Sequence, residues 1–347
     1  MRKISILLFS LNLLLAGCPI SNSTGGGGGS GGLGGGGSTP PGETGEEAGG
    51  LVENPMSSLC VTRGGRMFLT SSGGKTLVSS NGSTFTVLDG TARDLRASWC
   101  DQQSTSATDV WFAGSGGKIL HYNGSTLSEE ISGIDQTLNG LFGTDISNVY
   151  AVGEGGTIVH RSGTTWGEET SGVTGSLRGI SGIQPAVYAV GSNRTVLRSG
   201  GSGSWAPVSL PSSLDGDVPP DTNLNGIWVQ PVSGGSIFIV ADGGRIFRGT
   251  IGGITWTKMD SGTSKNLRAV SGTSASQVFA VGDSGVILSF DGTNWTKQTN
   301  PEDDKFSLFG VLPASATSAF AVGADGTSAT SNGVILGLTG SSWASFK

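Results

Sequence analysis

The chain is poor in charge, cysteine, histidine and tyrosine. Its 347 residues include 13% charged residues, three cysteines, two histidines and three tyrosines, with a net charge of −6. The charged share is about half that of an average protein. No basic stripe runs along the sequence, so the electrostatic signature of a nucleic-acid-binding protein is absent. The surface must instead be covered by Ser, Thr, Asn and Gly.

Motifs of common chemistry are also missing. The predicted domain after residue 56 contains no Gly-x-Ser-x-Gly elbow, and the sequence contains no phosphate-binding loop and no Asp-rich calcium loop. No amphipathic stretch of helical length follows residue 50. We therefore predict a non-enzymatic protein with no catalytic residue, no metal and no cofactor.

Glycine is abundant, with 62 residues, more than twice its usual share of about 7%. In a helix interior, each glycine costs roughly 1 kcal/mol relative to alanine. This composition indicates many short strands joined by tight turns, an all-β fold.

The N-terminus carries an export signal. Arg2 and Lys3 precede an apolar run, Ile4 to Ala16, which is shorter than the roughly 20 residues that span a bilayer. The sequence Leu15-Ala16-Gly17-Cys18 resembles the lipobox of bacterial lipoproteins. That resemblance implies cleavage after residue 17 and acylation of Cys18, with several acyl chains giving stable membrane anchoring.

Pro19 rather than aspartate follows that cysteine, which favours the outer membrane or cell surface over the inner membrane. Residues 18–56 are dominated by Gly, Ser, Thr, Pro and Glu, too polar to offset the entropy of ordering. We expect a flexible tether over 18–56 and a folded domain over 57–347.

The folded part is built of repeats. The plainest copies begin at Asn148-Val-Tyr-Ala-Val-Gly153 and Gln277-Val-Phe-Ala-Val-Gly282. A small residue closes this strand in seven copies, at steps of 38 to 50 residues: Ser71, Gly114, Gly153, Gly191, Ala241, Gly282 and Gly323. A second marker follows each of them: Phe85, Leu127, Trp166, Trp205, Trp256, Trp295 and Trp343.

A repeat of about 40 residues with four strand-like pieces is typical of a β-propeller blade. Asn-Gly and Asp-Gly pairs, such as Asn123-Gly124 and Asp291-Gly292, favour hairpin turns between the third and fourth pieces. We predict an all-β propeller of four-stranded antiparallel blades, most simply seven. The alternative is six blades, with the degenerate first copy outside the ring.

The repeat resembles the BNR-like repeat of photosystem-II assembly factors, Ala-Val-Gly-x-x-Gly-x-Ile followed by Asp-Gly and Trp. It is also similar to the tandem propeller repeats of lipoproteins from myxobacteria and their relatives. The resemblance spans about residues 57–347. It implies a propeller fold and allows a role in assembling a membrane complex.

One repeat position carries polar residues that could bind a ligand. Arg96, Arg178 and Arg268 each follow the leucine of the first strand, and Asn139 and Asn225 occupy the same place in other copies. Because the first strand is innermost in a propeller, these side chains could converge on the channel and bind an anion. The alternative is that they point into a wet channel without a ligand.

A sialidase, which also uses a propeller, needs a tyrosine nucleophile and an acid besides arginines. Tyr150 and Tyr188 fall in second strands and Tyr122 in a third, which argues against that activity. His121 and His160 occupy one repeated third-strand position, so their recurrence reflects the repeat.

Cys60 and Cys100 both fall on first strands, of neighbouring blades. The exported context permits a disulfide between them, and two buried thiols are the alternative. The chemistry as a whole predicts a membrane-anchored scaffold that binds a protein or glycan partner and no nucleic acid. An assembly factor and, less favoured, a sialidase-like glycan hydrolase are the alternatives.

Overall fold

The computed structural model describes most of the predicted propeller. The described residues are 43–44, 54–82, 84–88, 93–102, 108–201, 203–210, 218–252, 255–300, 305–326 and 332–345. The predicted signal peptide, Cys18 and nearly all of the predicted tether lie outside these ranges. Among the residues inside them, no helix has the length and apolarity needed to cross a membrane.

Seven antiparallel sheets form the fold, and in each the four strands of one blade pair in chain order. In blades 1 to 4 the strands are β2–β5 (Met56–Val61, Met67–Ser71, Thr76–Ser79, Thr86–Leu88), β6–β9 (Leu95–Cys100, Val110–Gly114, Ile119–Tyr122, Leu127–Glu130), β10–β13 (Leu138–Asp145, Asn148–Gly153, Ile158–Ser162, Thr165–Glu169) and β14–β17 (Leu177–Ile183, Ala186–Gly191, Val196–Ser199, Trp205–Pro207). In blades 5 to 7 they are β18–β21 (Leu224–Val229, Ser236–Ala241, Ile246–Thr250, Thr257–Met259), β22–β25 (Leu267–Ser274, Gln277–Gly282, Ile287–Phe290, Trp295–Lys297) and β26–β29 (Phe306–Ser315, Ser318–Asp325, Gly333–Thr339, Ser342–Ser345).

The ring closes because blade 7 packs on blade 1. The first strand of every blade contacts the first strands of both neighbours, including β26 against β2. Each blade is one continuous segment, so no strand is exchanged between the two ends of the domain. The predicted seven-bladed propeller is confirmed, and the six-bladed alternative is wrong.

The start of the domain also contains a fifth strand. The strand β1 (Glu43–Thr44) pairs antiparallel with β5, the outer strand of blade 1. These two residues belong to the segment predicted as a tether. The first propeller strand begins at Met56.

The core is divided into seven apolar clusters, one in each wedge between neighbouring blades. Between blades 3 and 4, for example, Tyr150 packs with Leu177 and Trp205. The rings of Tyr150 and Trp205 meet edge to face, with centroids 6.0 Å apart. The repeated aromatic marker therefore fills the wedge against the preceding blade, and burying each such side chain contributes roughly 1.5–3 kcal/mol.

The residue that ends each second strand is small because backbone of the preceding connection approaches it closely. Gly153 ends the second strand of blade 3, and a Cβ at this position would lie 2.1 Å from the carbonyl oxygen of Thr137. The equivalent distance at Gly191 is 2.2 Å, to the Ser176 oxygen. A side chain there would push the blade-to-blade connection away from the sheet.

Two faces of the ring are distinguished by their loops. We call the face that carries the turns between second and third strands, with the blade-to-blade connections, the mouth face. The turns between first and second strands, and between third and fourth strands, lie on the opposite face. Every first strand begins at the mouth face.

Candidate binding site at the channel mouth

The first strand of every blade contains a β-bulge near its start, at the second residue in blades 1 to 6 and at the fourth in blade 7. In blade 3, Leu138 pairs with Gly153 and Gly140 with Val152, so Asn139 is left over in the register. The same shift occurs in all seven blades. We call the bulged residues the mouth residues: Ser57, Arg96, Asn139, Arg178, Asn225, Arg268 and Phe309.

A bulge re-aims a side chain away from the regular alternation of a strand. In each blade, the residue before the mouth residue is fully buried, as with Leu177 and Leu267. The mouth residues themselves are all partly or largely exposed. The fold therefore presents one accessible side chain per blade at the entrance of the channel, and five of these seven are the residues predicted from the repeat.

The two asparagines link neighbouring inner strands. Asn139 Nδ2 donates to the Leu177 carbonyl oxygen at 3.0 Å, and Asn225 Nδ2 donates to the Leu267 oxygen at 2.9 Å. Each bond runs from one blade to the next. The amide groups at these positions stabilise the ring as well as lining its mouth.

Acidic residues lie beside two of the three arginines. The Arg268 guanidinium binds both carboxylate oxygens of Asp283 at 2.7 Å. Arg96 donates to Asn139 Oδ1 at 3.0 Å and lies 3.5 Å from Glu154. Glu154 and Asp283 occupy the same repeat position, directly after the marker glycine, which the sequence reasoning did not single out.

The network around blades 5 and 6 places two carboxylates, Asp242 and Asp283, beside the single cation Arg268. Burial by itself would raise the pKa of the Asp242 carboxyl, but hydrogen bonds from Asn225 and Asn223 and the charge of Arg268 lower it. The pKa of Arg268 is raised by its hydrogen bonds to Asp283. Arg268 is therefore held as a structural ion pair.

Arg178 differs from the other two arginines. No hydrogen bond or ion pair joins its side chain to another described residue, and its buried Nε has no partner among them. A half-buried cation without a partner carries an uncompensated desolvation cost. Arg178 is thus the mouth residue best placed to gain by binding an anion.

A second polar cluster, missed in the sequence reasoning, lies between the outer strands of blades 2 and 3. Glu130 Oε2 accepts from Arg161 Nε at 3.0 Å and from Trp166 Nε1 at 2.6 Å. His121 lies 3.2 Å from Glu130 and 2.7 Å from Asp109, and its ring stacks on Trp111.

Burial would raise the pKa of Glu130, but hydrogen bonds from His121, Trp166 and Arg161 outweigh it and lower the pKa to about 2. Blades 3 and 4 repeat this contact: His160 binds Glu169, which accepts from Trp205 Nε1 at 2.7 Å. Each of these two clusters joins neighbouring blades, and each contains one of the two histidines.

Cys60 and Cys100 form a disulfide between the first strands of blades 1 and 2, with Cα atoms 5.7 Å apart. Within the described ranges, no group of three or more His, Cys, Asp or Glu side chains is arranged to hold a metal ion.

The fold of this chain resembles that of solved β-propeller structures. No protein-family profile matches the chain, and no curated protein matches it in sequence. The structure of YCF48 bound to D1 peptide superposes with a TM-score of 0.63 at 14% identity, covering 83% of this chain and 94% of that one. The structure of YCF48 from Cyanidioschyzon merolae gives a TM-score of 0.65 at 14% identity, covering 85% and 98%.

At this identity the likeness shows the fold alone. The predicted similarity to photosystem-II assembly-factor propellers is confirmed at that level. The similarity to lipoproteins of myxobacteria stays a prediction.

Proposed function

We propose that this protein is a membrane-anchored, non-enzymatic scaffold that binds a protein partner at the mouth of its channel. The observation that carries this proposal is the bulge repeated in all seven first strands, which presents one side chain per blade at a single entrance. A rigid ring with an ordered set of polar side chains and one unpaired arginine suits binding.

A protein partner is favoured over a glycan because YCF48, a neighbour in fold, is found bound to a D1 peptide. By analogy of fold, the scaffold would serve the assembly of a membrane complex. A shared fold does not by itself imply a shared function, so the proposal is tested on the mouth residues of this chain.

The absence of accessible tyrosine supports a non-enzymatic role. The chain has three tyrosines, and Tyr122, Tyr150 and Tyr188 are all buried in the wedges. A sialidase-type mechanism requires a nucleophile that reaches the sugar. Arg268, moreover, already binds Asp283. Arg96, Arg178 and Arg268 therefore do not form the free arginine triad with which a sialidase binds its substrate carboxylate.

The anchor is proposed from the N-terminal sequence. Acylated Cys18 would hold the chain at the outer membrane or cell surface, with the following polar segment as a spacer. Replacing Cys18 by serine should move the protein from the membrane fraction to the soluble exported fraction. A serine variant that still sediments with membranes would contradict lipid anchoring.

Binding at the mouth can be tested by affinity capture from detergent-solubilised membranes of the cells that make the protein. The full chain is compared with Arg178→Glu and with Lys297→Glu, which makes the same charge change on the exposed outer strand of blade 6. We expect wild type and Lys297→Glu to capture the same partner, and Arg178→Glu to capture at least tenfold less. Equal capture by Arg178→Glu, with an unchanged melting temperature, would contradict the proposal.

A further inference from the structure

We infer that the segment bound at the mouth is an extended polypeptide that carries an anionic group and an apolar side chain, the first on Arg178 and the second on Phe309. This inference rests on the proposed function and names the chemistry of its partner. The seven mouth positions are equivalent in the fold, but their side chains differ. Some already have hydrogen-bond or ion-pair partners within the protein, and others do not.

The anion is assigned by the pairing of the three arginines. Arg268 is neutralised by two short bonds to Asp283, and Arg96 shares Glu154 and the Asn139 amide. The Arg178 guanidinium has no described partner. An incoming carboxylate would give Arg178 the charge-assisted hydrogen bonds that the other two arginines already have.

The apolar contact is assigned by Phe309. It is the only apolar mouth residue, and 37% of it is exposed although the neighbouring Leu308 is fully buried. A large aromatic side chain held at an entrance by a bulge leaves part of a flat apolar surface open to solvent. Removing that surface from water favours binding of an apolar side chain.

The two contacts lie far apart around the ring. Arg178 belongs to blade 4 and Phe309 to blade 7, three of seven positions away and hence nearly opposite across the mouth. A single small ion or one side chain would meet only one of them. An extended chain that crosses the mouth can meet both, and this geometry favours a peptide segment over an isolated anion.

The test uses a phage-displayed library of random 12-residue peptides selected on the immobilised full chain. We expect the enriched peptides to combine an acidic residue, or a free carboxyl end, with a large apolar residue at a preferred spacing. Selection on Arg178→Gln should lose the acidic preference and keep the apolar one. Selection on Phe309→Ser should do the reverse.

The best synthetic peptide then enters a double-mutant cycle measured by calorimetry. Replacing its acid by the amide should weaken binding to wild type at least tenfold and leave binding to Arg178→Gln nearly unchanged. Replacing its apolar residue by alanine should behave in the same way with Phe309→Ser. Ile146→Ser is the matched control, because Ile146 is 48% exposed on the opposite face.

The outcomes separate this inference from the proposed function. Peptides that bind wild type and Ile146→Ser equally, but whose binding needs only one of Arg178 and Phe309, would overturn the inference and leave a mouth that binds protein. Selected peptides whose affinity is the same for wild type and for both mouth variants would overturn the inference and count against the mouth as the binding site. Coupling of the acid to Phe309, or of the apolar residue to Arg178, would also overturn it.

Discussion

Replacing Glu130 by glutamine should destabilise the ring by removing a charge that joins blades 2 and 3. In the native protein this carboxylate accepts from Arg161 and Trp166 of blade 3. Glutamine has nearly the same shape and keeps one acceptor oxygen. The glutamine NH₂ group, however, is itself a donor and would face the donor groups of Arg161 and Trp166. The substitution also leaves the buried Arg161 guanidinium without a counter-ion.

The size of the effect follows from the ionisation of Glu130. Its pKa lies at about 2 rather than at 4.5, and each pH unit of such a difference corresponds to about 1.4 kcal/mol of preference for the charged form. The folded state therefore favours the carboxylate by about 3 kcal/mol. Since glutamine retains one acceptor, we expect a loss of about 2–3 kcal/mol at neutral pH.

The pH dependence has a definite sign. Because the pKa of Glu130 is lowered on folding, its stabilisation is complete above about pH 5 and is lost as the pH falls from 4.5 towards 2. The difference between wild type and Glu130→Gln should therefore be constant near neutrality and shrink in acid.

Urea unfolding followed by tryptophan fluorescence at pH 7, 5, 4 and 3 measures this difference. Glu168→Gln is the control, because Glu168 lies exposed on the outer strand of blade 3. A loss for Glu130→Gln no larger than that of the control at pH 7, or one that grows in acid, would show that the charge of Glu130 does not stabilise the fold.

Two further predictions concern the junctions between blades. Val208 occupies in blade 4 the position of Glu130 in blade 2, and the buried Trp256 Nε1 has no acceptor among the described residues. Val208→Glu should therefore gain bonds from Trp256 and Arg198 and raise stability by about 1 kcal/mol, and a lower melting temperature would contradict this. Replacing both Cys60 and Cys100 by serine opens a crosslink between residues 40 positions apart and should lower stability by about 4 kcal/mol. Urea midpoints with and without reductant check it, and a wild type unaffected by reductant would speak against a stabilising disulfide.

Much of the fold could be predicted because its determinants recur. The marker glycines lie where two backbone segments approach closely, and the marker tryptophans fill the wedges between blades. Because most blades have the same two requirements, the same residue types recur at nearly the same spacing. Arg96, Arg178 and Arg268 could be assigned to one inner position for the same reason. Their register in the repeat sufficed, without any knowledge of their partners.

The partners themselves lay beyond sequence reasoning. Asp283, which binds Arg268 of the first strand, lies in the turn between the second and third strands, and the composition of that turn varies from blade to blade. The contacts of Glu130 with Trp166 and of Glu169 with Trp205 both cross a blade boundary at a separation of 36 residues. That shared separation is a signal which could have revealed them.

The pairing of Glu43–Thr44 with the outer strand of blade 1 left no such signal. Its bonds are made by the main chain, which any residue carries, whereas the surrounding composition indicates a coil.

Site-specific photo-crosslinking in intact cells shows whether the protein binds its partner through the mouth of the ring. A photoreactive phenylalanine replaces Ser57 at the mouth in one variant and Ile146 on the opposite face in another. We expect a covalent adduct with one discrete protein from position 57 and none from position 146. An adduct formed only from position 146, or no adduct from position 57 in a folded and exported chain, would rule out binding at the mouth.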